Sequence, residues 1–217
     1  MNLEQARANM VEQQIRPWEV LDQAVLDLLY AVPREEFVPA ACRNLAFADL
    51  EIPIGEGERM MAPKIEARLL QSLALRKTDR VLEVGTGSGY LTALLARSAV
   101  HVHSLEIRPA LAAFGRGNLE RQGVDNVTLE IGDGARGDPK RAPYDAIVLT
   151  GSTPVLPATL REQLAPGGRL FAVVGEPPVM VARLVTCTAP GTYGAADLFD
   201  TLLAPLANAE RAPQFRF

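Results

Sequence analysis

Three glycines alternate with small hydroxyl residues in the stretch EVGTGSGY, and an acid precedes them. The residues concerned are Glu83, Gly85, Thr86, Gly87, Ser88 and Gly89. A glycine loop lets the backbone approach a ligand closely and directs main-chain N–H groups at it. The dinucleotide fingerprint G-x-G-x-x-G would need a glycine at Tyr90. A carboxylate beside the loop disfavours a pyrophosphate and suits a ligand with an ammonium and a sulfonium, which indicates S-adenosylmethionine.

Two further acids follow at the spacing that a nucleoside requires. Glu106 ends the next predicted strand, where its carboxylate can accept hydrogen bonds from both ribose hydroxyls. Asp133 stands between Gly132 and Gly134, where it can meet the adenine amino group while Gly134 leaves room for the ring. Each acid also has a purely structural interpretation. Glu83 could cap a turn, Asp133 could belong to a tight turn, and Glu106 could be a solvated residue at the end of a strand. Their order and spacing together predict S-adenosylmethionine binding.

The elements that must position these residues alternate between strand and helix. Apolar runs with β-branched residues predict strands at RVLEV, VHSLEI, VTLEIGD, YDAIVLT, GRLFAVVG, VMVARLVTC and GAADLFDTLL. Helical periodicity predicts helices at GYLTALLARS, PALAAFGRGNLERQG and PATLREQL. This alternation favours an α/β fold, with a doubly wound, mainly parallel seven-stranded Rossmann-like sheet and helices on both faces. We expect this core in residues 76–217.

The first 75 residues have a different pattern. Apolar residues recur at helical spacing from Leu3 to Ile15 and again from Leu21 to Leu29, and Pro33 ends the second run. Residues 33–63 are rich in Pro and Gly and predict an irregular connector with a short helix or a hairpin. Another helix is expected from Pro63 to Leu75. We therefore expect residues 1–75 to form an N-terminal helical cap and the side of the ligand site on which a methyl acceptor would bind.

Composition narrows the class of protein. The chain has 217 residues, 48% of them hydrophobic, and a net charge of −4, which is typical of one globular domain. It has no basic stripe typical of nucleic-acid binding and no long apolar run typical of export or membrane insertion. Cys42 and Cys187 lack a CxxC partner, so reduced thiols and a cytoplasmic location are expected. His101 and His103 share a strand face without a third ligand, so no metal site is expected.

The stretch VLEVGTGSGYLTALLA resembles motif I of the protein-L-isoaspartate O-methyltransferases, a family of class I S-adenosylmethionine-dependent enzymes. The segments AVPREEFVP, IPIGEGERMMAP, NVTLEIGDGARG and PYDAIVLTGSTPVLPATLREQLAPGGRLFAVVG follow the family's order, so the likeness spans about residues 5–185. The resemblance implies that the cofactor is held by Gly85, Gly87, Gly89, Glu106 and Asp133. It also implies repair of isomerised aspartyl residues by methylation of their free carboxylate.

One segment departs from the family's pattern. The family reads close to G-x-G-x-T-I-S-Q-P before the helix, with the serine hydroxyl beside the acceptor carboxylate, whereas this chain has Arg59, Met60, Met61 and Ala62 in the last four places before the proline. A thioether packs against apolar groups and offers almost no hydrogen bond to an anion. The methionines either pack beneath the cap or line a pocket altered for a less polar acceptor. Arg59 could contact a carboxylate, and the Thr150 hydroxyl could replace part of the missing contact.

Three hypotheses for function follow. The first is methyl transfer to an isoaspartyl protein or peptide, and the second is methyl transfer to a less polar small-molecule acceptor. The third is a non-catalytic S-adenosylmethionine-binding protein. The candidate acceptor-site residues are Arg59, Met61 and Thr150. The pattern leaves the oligomeric state and the acceptor open.

Overall fold

The computed structural model of the chain describes residues 2–211. Its helices are α1 (Leu3–Met10), α2 (Gln23–Ala31), α3 (Pro63–Leu73), α4 (Tyr90–Ala96), α5 (Pro109–Arg121) and α6 (Ala158–Arg161). Its strands are β1 (Ile52–Gly55), β2 (Glu58–Met60), β3 (Arg80–Val84), β4 (His101–Glu106), β5 (Val127–Ile131), β6 (Tyr144–Thr153), β7 (Leu164–Glu176), β8 (Val179–Ala189) and β9 (Thr192–Asp200). For the tail at residues 208–217 the sequence leaves docking on the core or fraying open, and residues 212–217 lie outside the described residues.

Seven strands form one sheet in the order β5-β4-β3-β6-β7-β8-β9. The first five strands in this order pair in parallel, and β8 and β9 pair antiparallel at one edge. The predicted α/β, mainly parallel sheet is therefore confirmed. The winding direction reverses between β3 and β6, and open α/β sheets bind ligands at the carboxyl ends of strands at such a point.

The sheet separates two hydrophobic cores because alternate residues of each strand point to opposite faces. Val81 belongs to the larger core, with α3, α4, α5 and the N-terminal segment, while Leu82 belongs to the smaller core under α6. The predicted helix PATLREQL is shorter than expected, since Leu164 already pairs with Tyr144 in the sheet. No helix in residues 2–211 is long and apolar enough to cross a membrane.

The N-terminal segment packs directly on the sheet's helices. Phe37 contacts Tyr90 of α4 edge-on, with ring centroids 5.5 Å apart, and both side chains are buried. Strands β1 and β2 form an antiparallel hairpin, which is one of the two forms expected for this connector. Met60 is the last residue of β2, and Met61 connects it to α3. Helix α3 begins at Pro63, whose fixed φ suits the first helical position.

Candidate active site

The glycine loop joins β3 to α4 in a conformation that needs glycine. Gly85, Gly87 and Gly89 have φ of +97°, +53° and +81°, which L side chains rarely adopt. A Cβ added at Gly85 would lie 2.1 Å from Thr150 Oγ1. A Cβ at Gly89 would lie 3.0 Å from the carbonyl oxygen of Gly115 in α5. The loop is therefore packed tightly between β6 and α5, with no space for side chains at these two positions.

Glu106, at the end of β4, holds the loop from the side. Its Oε2 accepts a hydrogen bond from the Gly87 N–H at 2.9 Å, and its Oε1 accepts one from the Arg108 N–H at 3.0 Å. The residue is 5% exposed and lines a cleft at the carboxyl ends of the strands. Because a carboxylate can accept about four hydrogen bonds, two ligand hydroxyls can still be received. Glu106 thus lies where the sequence predicted a ribose contact.

Glu83 requires a correction, because its carboxyl does not face the cleft. The side chain is fully buried, and its Oε2 accepts hydrogen bonds from Thr92 and Ser104, each at 2.6 Å. Oε1 has no hydrogen-bond partner in the described part of the chain. Burial raises the pKa of Glu83 to about 8, despite the bonds from Ser104 and Thr92 that lower it. At neutral pH Glu83 is therefore mostly uncharged, and the predicted charge attraction to a cationic ligand does not arise from it.

Thr86 and Ser88 are the buried hydroxyl residues of the loop. Thr86 Oγ1 lies 2.6 Å from Ser104 Oγ, so the loop is linked through Ser104 to Glu83. Ser88 Oγ accepts from the Tyr90 N–H at 3.3 Å, and its carbonyl oxygen accepts from Asn118 at 2.8 Å. These hydrogen bonds hold the glycine loop in its conformation.

Asp133 lines the cleft beside Glu106 but already has two partners. Its Oδ1 accepts from the Ala135 N–H at 2.9 Å in a turn, and its Oδ2 accepts from Asn208 at 2.9 Å. A Cβ added at Gly134 would lie 2.7 Å from a methyl group of Val84, so only glycine fits there. Asp133 therefore forms the predicted turn and also lines the cleft where a ligand contact was predicted.

The cleft has two neighbouring parts that share one wall. The main cleft is lined by Glu106, Ile107, Leu111, Asp133, Gly134 and Leu206. The side pocket is lined by Met60, Met61, Glu66, Thr86, Ser88 and Leu91. Both parts share the wall formed by Ile54, Arg59, Gly85, Gly87 and Thr150. The glycine loop and Arg59 therefore border both parts of the cleft.

The three candidate acceptor-site residues line the shared wall or the side pocket, but they differ in what they can offer. Met61 is 5% exposed, so it packs in the core and lines the side pocket at once. Arg59 is exposed and makes no side-chain hydrogen bond or ion pair within residues 2–211. Thr150 Oγ1 donates toward the carbonyl oxygens of Val84 and Gly85, each at 2.9 Å. This corrects the expectation for Thr150, because its single hydroxyl proton is used beneath the loop.

Sequence reasoning missed the C-terminal contribution to the cleft. Residues 203–207 lie along the main cleft, and Ser152 fixes them through three hydrogen bonds. The contact joins positions about fifty residues apart, so local pattern gave no signal. It also missed Glu66, which is buried on the apolar face of α3 with Leu69, Leu70 and Leu73. An acid among the apolar residues of a helix face could have indicated a functional residue from the sequence.

The residues present fit an S-adenosylmethionine molecule. Glu106 is an acid next to the loop, Ile107 and Leu111 give an apolar wall for a ring, and Gly134 has no space for a side chain. The side pocket continues from this cleft along the loop and adds the carboxylate of Glu66. A nucleoside with a charged amino-acid tail matches this order of acidic, apolar and polar groups.

Comparisons with known proteins agree with this fit. Residues 5–210 match the family model of protein-L-isoaspartate(D-aspartate) O-methyltransferase. A protein-L-isoaspartate O-methyltransferase of Roseiflexus castenholzii is 46% identical over 175 residues, covering 81% of this chain and 80% of that protein. Protein-L-isoaspartate O-methyltransferase 2 of Marinobacter nauticus is 39% identical over 213 residues, covering 98% and 97%.

A solved structure gives the same result for the fold. It is a Plasmodium falciparum protein-L-isoaspartate O-methyltransferase in complex with S-adenosyl-L-homocysteine. It superposes with a TM-score of 0.80 at 23% identity, covering 95% of this chain and 99% of that one. The likeness extends through the N-terminal segment as well as the sheet.

Proposed function

This chain belongs to the protein-L-isoaspartate(D-aspartate) O-methyltransferase family, and we propose on that premise that the free carboxylate of an isomerised aspartyl residue is received beside Arg59, on the wall shared by the two parts of the cleft, for methylation by S-adenosylmethionine. The chain is an S-adenosylmethionine-dependent methyltransferase. The observation that supports this use of the cleft is the shared wall at the glycine loop, because it lets the cofactor and the acceptor meet there.

The cofactor-binding roles are assigned to residues of the main cleft. Glu106 would accept the ribose hydroxyls, Asp133 would meet the adenine amino group, and Ile107 and Leu111 would cover the ring. The packed loop at Gly85–Gly89 brings main-chain groups close to the ligand. When bound, S-adenosylmethionine supplies a methyl group on a positively charged sulfur, which a carboxylate oxygen can attack.

The acceptor needs positioning more than proton transfer. A carboxylate with a pKa near 4 is ionised at neutral pH, so no general base is required. The protein's task is to hold the carboxylate oxygen in line with the methyl group and to exclude water. Arg59 lies on both parts of the cleft with an uncommitted guanidinium, which supports a role as the contact for the acceptor carboxylate.

A second candidate function follows from the methionines. Met60 and Met61 make part of the side pocket apolar, and neither side chain can donate a hydrogen bond to an anion. These two side chains, taken alone, would suit a less polar small-molecule acceptor. The two candidates share the cofactor site and differ only in the side pocket. The free thiols of Cys42 and Cys187 support a cytoplasmic setting for either activity.

The test is methyl transfer from labelled S-adenosylmethionine to an isoaspartyl peptide, with the aspartyl peptide of the same sequence as the matched control. We expect base-labile methyl ester on the isoaspartyl peptide alone. Turnover of the cofactor with small molecules but not with this peptide would favour the second candidate. Absence of ester at high enzyme concentration would count against the isoaspartyl acceptor.

A further inference from the structure

We propose that Glu66 is a cofactor-binding residue that accepts a hydrogen bond from the amino group of the S-adenosylmethionine tail, and that Arg34 is the positioning residue that holds Glu66 in place. The inference rests on the proposed function, since it assumes that S-adenosylmethionine occupies the cleft. It adds a contact for the amino-acid tail.

Glu66 is a buried acid with one oxygen committed to protein. It lies on the face of α3 that packs on the core and is 1% exposed. Its Oε2 is bonded to the guanidinium of Arg34. The residue also lines the side pocket together with Thr86, Ser88 and Met61, which leaves Oε1 for the pocket.

Arg34 is fixed by four different elements. Its Nε donates to the carbonyl oxygen of Ala46 at 2.9 Å, and its Nη2 donates to the carbonyl oxygen of Met61 at 2.6 Å. Its guanidinium carbon lies 4.8 Å from the centre of the Tyr90 ring, and its Nη1 is bonded to Glu66. The guanidinium is fully buried and does not line the cleft, so it acts on the ligand only through Glu66 and Met61.

The direction of the bound nucleoside follows from Glu106 and the apolar wall. If the ribose lies at Glu106 and the ring lies against Ile107 and Leu111, the tail must leave the main cleft along the glycine loop. The side pocket is the continuation of the cleft along Gly85–Ser88, and Glu66 is its acid. The amino group is the cation of that tail.

Charge decides between the two ligands that could meet Glu66. The acceptor carboxylate is an anion, and a carboxylate facing it would repel it. The amino group is a cation and a donor, so it complements Oε1. Burial raises the pKa of Glu66, and the Arg34 guanidinium opposes this rise. A bound ammonium would favour the ionised carboxylate in the same way.

The test compares two ligands that differ by the amino-acid tail. Calorimetry would measure the Kd of S-adenosylhomocysteine and of 5′-methylthioadenosine, which lacks the amino and carboxyl groups. We expect Glu66→Gln to weaken S-adenosylhomocysteine binding about tenfold and to change 5′-methylthioadenosine binding less than about twofold. Equal weakening of both ligands, or no weakening of S-adenosylhomocysteine, would overturn the proposal.

The matched control is Glu35→Gln. Glu35 is also buried and paired with an arginine, Arg7, but it lines neither part of the cleft. We expect this variant to bind both ligands as the wild type does. If its Kd for S-adenosylhomocysteine rose as much as that of Glu66→Gln, the effect would come from lost packing and not from a contact.

A measurement on the wild type keeps the proposal testable if Glu66→Gln does not fold. The deamino analogue of S-adenosylhomocysteine, which keeps the carboxyl group, should bind at least about tenfold more weakly than S-adenosylhomocysteine itself. Equal affinity would contradict the proposal. All these readouts are binding constants, so they stand whether or not the isoaspartyl peptide is methylated.

Discussion

The guanidinium of Arg108 donates two hydrogen bonds to Glu58 Oε1, from Nε at 2.8 Å and from Nη2 at 2.5 Å. Both residues line the main cleft and are about one-third exposed, so the pair lies at the rim. The main-chain N–H of Arg108 is also bonded to Glu106. One residue therefore ties the β1–β2 hairpin to the acid that we assign to the ribose.

Glu58→Gln should loosen this tie without unfolding the protein. Exposed ion pairs contribute at most about 1 kcal/mol to stability, so the free energy of unfolding should change by less than that. The Kd of S-adenosylhomocysteine should rise about threefold, with faster release, because the hairpin no longer stays closed on the cleft. Stopped-flow release and calorimetry measure both effects. Asp197→Asn breaks the Arg183–Asp197 pair on β8 and β9 and is the control. A slower release from Glu58→Gln would contradict this role.

Glu106→Ala should remove most of the cofactor affinity. The variant loses the acceptor for ligand hydroxyls and also leaves the Gly87 and Arg108 N–H groups without their partner. We expect the Kd of S-adenosylhomocysteine to rise about a hundredfold, since bonds to a charged acceptor are worth about 1.5–3 kcal/mol. Glu130→Ala on neighbouring β5 is the control, because Glu130 pairs with Arg141 and does not line the cleft. Wild-type affinity in Glu106→Ala would refute the ribose assignment.

Gly85→Ala and Gly55→Ala separate backbone strain from lack of space. Both glycines have φ of +97°, but a Cβ at Gly85 would lie 2.1 Å from Thr150 Oγ1 whereas none of the surrounding atoms is within 4 Å at Gly55. Gly55→Ala should cost about 1 kcal/mol of stability from φ alone. Gly85→Ala should cost several times more and abolish cofactor binding, because the loop must move. Urea unfolding and calorimetry measure this, and equal costs would show that space is not the limit.

The sequence predicted the parts of the site that are set by local spacing. The glycine loop follows β3 and Glu106 ends β4, so the apolar pattern of the strands and the glycines of the turn were enough to place them. The direction of Glu83 was predicted wrongly, although the period of two places it on the same face as Val81, toward α4. For the connector the sequence left a short helix or a hairpin open, and the pairing of Ile52 with Met60 shows the hairpin.

The rest depended on contacts that no local pattern reports. Arg34 and Glu66 are 32 positions apart and meet only once the N-terminal segment packs on α3. Ser152 and Leu203 are 51 positions apart, and their bond places the C-terminal segment along the cleft. The acceptor contact predicted for the Thr150 hydroxyl needed correction for a similar reason. Its place after β6 was predicted, but the direction in which its hydroxyl donates depends on the loop beside it.

Met61→Ser tests whether the missing hydroxyl limits acceptor binding. The side chain lines the side pocket, while its carbonyl oxygen is held by Arg34 whatever the side chain is. We expect kcat/KM for the isoaspartyl peptide to rise about tenfold, the worth of one hydrogen bond to a charged group, and the Kd of S-adenosylhomocysteine to stay within about twofold. Met61→Ala removes the thioether without adding a hydroxyl and should not show the gain. An equal gain from both variants would mean that bulk, not polarity, controls the pocket.

Glu83→Gln should change how stability depends on pH. The pKa of Glu83 is raised from 4.5 to about 8 in the folded chain by burial. Between these values the unfolded chain releases the proton and the folded chain keeps it, so the free energy of unfolding falls as pH rises. Below pH 4.5 both states are protonated and Glu83 has no effect, and above about pH 8 the penalty is fully present.

Glutamine keeps an oxygen for Thr92 and Ser104 but does not ionise. Relative to wild type, the variant should therefore gain about 3 to 4 kcal/mol between pH 5 and pH 8, which urea unfolding at the two pH values would measure. Glu130→Gln, which changes a half-buried acid at the surface of β5, should show no such gain. A difference between Glu83→Gln and wild type that is the same at both pH values would mean that Glu83 is ionised in the folded protein throughout this range.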